Sequence, residues 1–112
     1  MGEICPFPVG SSPQIGFTRA ELKRIVDVYG RMVSAGLWKD YAVEFGNDYA
    51  AFWAFRRTAE RPETRIEKRP ALRGRQGQWA LIGEGGRVLR RGDELGPLLA
   101  PVERRLLKVV SA

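Results

Sequence analysis

The spacing of apolar residues changes twice along this chain, and no other feature restricts its fold as much. Over residues 18–35, Leu22, Ile25, Val26, Tyr29 and Val33 recur at about the 3.6-residue period of a helix, with Arg19, Lys23, Arg24, Asp27 and Arg31 on the other faces. Thr18 and Glu21 open that segment as a capping box: the threonine hydroxyl accepts from the Glu21 backbone N–H, and the glutamate reaches back. Phe17 precedes the cap, placed to staple onto Leu22, and Gly36 suits the left-handed residue that ends a helix near Ala35.

From Tyr41 the period falls to two. Tyr41, Val43 and Phe45 alternate with Ala42 and Glu44, which predicts a strand with one buried face. Gly46, Asn47 and Asp48 supply turn chemistry, and residues 49–57 return as a nearly continuous apolar strand. Such a run fits a strand covered on both faces, or one with a face left for a ligand. Residues 64–68 predict a third strand with Ile66 facing in, broken by Pro70 and by Gly74 to Gly77. Residues 78–82 and 87–90 flank the glycine-rich hairpin loop Gly83 to Gly86.

Beyond Asp93 the period lengthens again through Leu95, Leu98, Leu99, Val102, Leu106, Val109 and Val110. Pro97 and Pro101 are expected to divide this tail into a short turn and a final helix from about Pro101. Its apolar stripe is expected to pack on the sheet, with pairing to a partner as the alternative use. The order predicts an α+β fold: an N-terminal amphipathic helix, an antiparallel meander of four to five strands and a C-terminal helix around a single core. That core is expected to hold Leu22, Ile25, Val26, Tyr29, Val43, Phe45, Phe52, Ile66, Leu81, Val88, Leu106 and Val109. Residues 1–16, with Pro6, Pro8, Gly10, Pro13 and Gly16, read as an irregular arm ahead of one domain over 17–110.

A chain of 112 residues with 44% apolar side chains suffices for one core without a metal or disulfide. It contains no histidine, which removes Ser-His and Cys-His catalysis and every His-bearing zinc site. Cys5 is the lone cysteine, in a proline-rich arm with no basic neighbour before Arg19 to activate it. The carboxylate pairs Asp40 with Glu44 and Asp93 with Glu94 lack a second acidic cluster, and Asp93 suits an N-cap. We therefore expect no enzyme activity, no metal and no cofactor. No apolar run approaches the roughly eighteen residues of a membrane span, and the first residues do not read as an export signal, so the expected setting is cytoplasmic.

Tyr29 to Val33, Ala35-Gly36, Trp38, Asp40-Tyr41, Arg56-Arg57, Glu60 and Pro62 occur in an order that resembles a family of small alphaproteobacterial proteins, domain of unknown function 2794. Ile66, Lys68, Pro70, Gln76-Gly77, Gly86 and Arg91-Gly92 continue the resemblance, which spans roughly residues 17–110. It implies a single bacterial domain and supplies no activity, substrate or site residue.

The most informative surface feature is basic. Between Arg56 and Arg75 eight cations face three carboxylates, an excess of +5 in a chain whose net charge is +6. Seven of the eight are arginines, which present bidentate donors to phosphate or carboxylate. With aromatics on the adjoining strands, such a surface can hold phosphates and stack bases. The expected site is Arg56, Arg57, Arg65, Lys68, Arg73 and Arg75 with Trp53 and Trp79, and the expected partner an RNA-like polyanion. An acidic protein on the same face is the alternative, and a solvated face with core aromatics the plainest account. Gly74 to Gly77 spells a KH-type loop but sits between strands rather than helices, so both glycine clusters are read as turns.

Overall fold

The computed structural model describes residues 15–57 and 61–111, with side chains to Lys108. Cys5, most of the proposed arm and the side chain of Val109 lie outside the described residues. Helix α1 spans Arg19–Ser34 behind the expected capping box, with the Thr18 hydroxyl accepting from the Glu21 N–H at 3.1 Å and the Glu21 carboxylate from the Thr18 N–H at 2.9 Å. Strands β1 (Asp40–Phe45), β2 (Ala50–Phe55), β3 (Thr64–Lys68), β4 (Trp79–Ile82) and β5 (Val88–Gly92) follow. They form a five-stranded antiparallel sheet in sequence order, a simple meander. Pro97 and Pro101 divide the tail as expected into α2 (Leu95–Leu98) and α3 (Ala100–Ser111).

The helices lie on one face of the sheet. Because side chains alternate along a strand, the register decides which residues meet them. Phe52 pairs with Ile66, Ile66 with Leu81 and Lys68 with Trp79, so these share the covered face. Ile25, Val28 and Met32 of α1, and Leu98, Leu99, Val102 and Leu106 of the C-terminal helices, complete the core above them. Phe17 is buried there, stacked on Trp79 with ring centroids 6.1 Å apart.

Three expected core residues are exposed instead: Val26, Val43 and Val88. Val43 pairs with Phe52 on the covered face but belongs to the edge strand β1, where the helical layer does not seal the surface, whereas Val88 pairs with Ile82 and so points to the opposite face of the sheet. Val26 lies to one side of the contact row, which runs through Leu22, Ile25, Val28 and Met32. Leu22, Tyr29 and Phe45 are partly buried against the core.

Candidate functional site

Among the described residues no helix packs on the other face of the sheet. Register places Ala42, Trp53, Arg65, Ile82 and Val88 in one row across it, and Glu44, Ala51, Glu67, Ala80 and Arg91 in the next. The first row presents apolar surface around a single cation. The second is small and charged, so the long side chains beside it lie down over it.

Those side chains form a ladder. The Arg65 guanidinium lies 4.4 Å from the ring centroid of Trp53 and 5.7 Å from that of Tyr49, and the Arg69 guanidinium 5.1 Å from Tyr49. A cation over an aromatic face is attracted by the ring's electron density. Glu67, buried between Ala51 and Ala80, holds both arginines, Arg65 at 2.8 Å and Arg69 at 3.4 Å. The Arg65 Nε is buried without a hydrogen-bond acceptor, so this guanidinium is fixed by one carboxylate and two rings rather than by a full set of bonds. The Tyr49 hydroxyl donates to Glu44, which raises the tyrosine pKa above its ordinary value.

A cavity of about 440 Å³ opens beside Trp53 and Arg65, walled by Ile82, Pro62 and the Gly83 to Gly86 turn, with Arg61 on its lining. Gly85 and Gly86 adopt φ of 82° and 85°, a left-handed backbone that other residues rarely take. Arg61 is exposed, and no ion pair holds it among the described residues.

The expected basic site is only partly assembled. Arg65 and Trp53 are brought together at the cavity. Lys68 and Trp79 are not available: both point into the covered face, Lys68 to a 2.7 Å ion pair with Glu21 and Trp79 into the core. Arg56 and Arg57 lie past the end of β2, on the cavity side, with Arg56 shared between Glu84 at 3.5 Å and Glu63 at 3.8 Å. Arg73 and Arg75 occupy the β3–β4 loop at the opposite end of the sheet, about 16 Å away along the five residues of β3. The eight expected residues are thus divided among two ends and two faces. Asp93 is not an N-cap either; its carboxylate accepts from the Gly74 and Gln78 N–H groups and holds that loop.

Sequence reasoning left Arg61, Arg69, Glu67, Ile82 and Tyr49 out of the site. Strand parity carried the missing signal for most of the sheet positions: with Ile66 facing in, Lys68 faces in and Arg65 and Glu67 face out. For Arg61, in a connector, no such signal existed.

No helix among the described residues is long and apolar enough to cross a membrane. A family model described as "Protein of unknown function (DUF2794)" matches residues 15–99. No curated protein and no solved structure matches the chain.

Proposed function

The chain belongs to the DUF2794 family, whose description assigns no activity, and from that premise we propose that it is a non-catalytic, cytoplasmic module that binds single-stranded RNA-like polyanions. One observation carries the reading: the Arg65 guanidinium over the Trp53 ring on the cavity lining, which also carries Arg61, an arginine with no ion pair among the described residues. A flat cation on a flat aromatic is a platform on which an unpaired base stacks, worth about 1–3 kcal/mol per base. Bases inside a duplex cannot reach such a platform, so single strands are favoured. Arg61 adds a phosphate contact and the salt dependence that comes with counterion release.

The test is a titration with a short oligouridylate at low and at moderate salt, followed by tryptophan emission. Trp38 and Trp79 are buried, so a change on binding reports Trp53. Affinity is expected to fall as salt rises, and Arg61→Ala to lower it and flatten the salt slope by about one unit. Absence of binding at low salt rejects the reading. A slope change from the Arg73→Ala, Arg75→Ala pair but not from Arg61→Ala moves the site to the far end of the sheet.

A second reading rests on Val88 and Leu89, each about half exposed on the edge strand that also carries Arg90 and Arg91. Apolar side chains beside arginines also suit an acidic protein partner. A stoichiometric complex that survives nuclease treatment in a pull-down favours that partner over RNA.

A further inference from the structure

We propose that the cavity between the Trp53–Arg65 stack and the Gly83 to Gly86 turn is a site for one nucleoside monophosphate unit, its base on the stack and its phosphate at Arg61. The inference rests on the nucleic-acid reading above and narrows it to a ligand of stated size and shape.

Size comes first. At about 440 Å³ the cavity falls within the roughly 300–1,000 Å³ of small-molecule sites, which suits one nucleotide rather than a run of them. Its walls differ in kind. Trp53 with Arg65 over it gives a flat side, and Ile82 and Pro62 give apolar sides. The glycine turn gives a side made of backbone, since open space surrounds the place where a Cβ at Gly85 or Gly86 would stand. A ligand therefore approaches the main chain there without meeting side chains.

Charge then selects the class. Arg61 and Arg65 line the cavity, and the one carboxylate on its wall, Glu67, is already committed to Arg65 and Arg69. The excess positive charge calls for an anion. Inorganic phosphate would meet the charge and leave the aromatic and aliphatic walls empty. A nucleoside would fill the walls and leave Arg61 uncompensated. A nucleoside monophosphate does both.

The experiment compares adenosine 5′-monophosphate, adenosine and inorganic phosphate by tryptophan emission on the full chain, with equilibrium dialysis as a second readout. We expect saturable binding of the monophosphate, at least tenfold tighter than either fragment. Arg61→Ala should bring the monophosphate down to the level of adenosine and leave adenosine unchanged; the arginine is exposed and has no ion pair among the described residues, and a thermal melt verifies folding. Monophosphate binding no tighter than inorganic phosphate overturns the proposal. If oligouridylate binds and the monophosphate does not, the cavity assignment fails while the polyanion reading stands. If the monophosphate binds and oligouridylate does not, the cavity assignment holds and the polyanion reading fails.

Discussion

Arg105 of α3 grips the carboxylate of Glu63, 42 positions earlier, with two hydrogen bonds of 3.0 and 3.1 Å. The same carboxylate accepts the Trp38 indole N–H at 2.6 Å, so one buried acid ties together the segment after α1, the start of β3 and the last helix. Its neighbours Pro62 and Thr64 line the cavity, so this knot also positions the cavity wall.

Removing the acid should be costly. Glu63→Ala leaves the Trp38 N–H and Arg105 without their acceptor, and we expect a loss of about 3 kcal/mol, the low end for a broken buried pair because Arg105 is 41% exposed. Glu63→Gln keeps an acceptor for Trp38 and should lose clearly less. Urea denaturation with an unchanged slope reads both values.

Acid should loosen the same knot. Burial raises the Glu63 pKa and is the largest single influence, but hydrogen bonds from Arg105 and Trp38 and the charges of Arg105 and Arg56 together outweigh it, leaving the pKa below the ordinary 4.5. A group with a depressed folded pKa contributes its full stability above the unfolded value and loses it as pH falls through the folded one. Melting temperatures of the wild type should therefore drop below about pH 4.5 more steeply than those of Glu63→Gln. Equal slopes would assign acid sensitivity to other carboxylates.

Lys68 should matter to stability and not to binding. Its ammonium donates to Glu21 at 2.7 Å and to the Gly16 carbonyl at 3.1 Å, so a sheet residue buttresses the cap of α1. Lys68→Met is expected to cost about 2 kcal/mol, in the range for hydrogen bonds to charged groups, with oligouridylate affinity unchanged. A matching loss of affinity in a folded variant would return Lys68 to the site.

Two glycines should respond in opposite directions. Gly30 sits inside α1 with open space around its missing Cβ, so Gly30→Ala should stabilise by about 0.5–1 kcal/mol. Gly77 has φ +103°, and a Cβ there would stand 2.8 Å from the Gly92 backbone. Gly77→Ala should destabilise by about 1–3 kcal/mol, read from paired thermal melts.

Much of the fold was legible because it is local. The capping box, the turns at Gly46 to Asp48 and Gly83 to Gly86, and the division of the tail by Pro97 and Pro101 each depend on a few neighbouring residues. The site was legible in parts. Trp53 and Trp79 read alike as tryptophans in apolar runs, yet alternation puts one on each face, since Trp53 follows Phe52 and Trp79 shares a face with Leu81. Among the basic residues, the run of charge said nothing about which would be neutralised.

By itself the sequence determined the order of the elements, their turns and the single-core α+β design, because those follow from backbone preferences and hydrophobic period over short spans. Only the tertiary structure decided which cations remain available to a ligand. Lys68 meets Glu21 across 47 positions, Arg105 meets Glu63 across 42, and Arg65 meets Trp53 across two strands. Such pairings arise where packing brings distant segments within a few ångströms, and Coulomb attraction at that range outweighs any charge pattern along the chain.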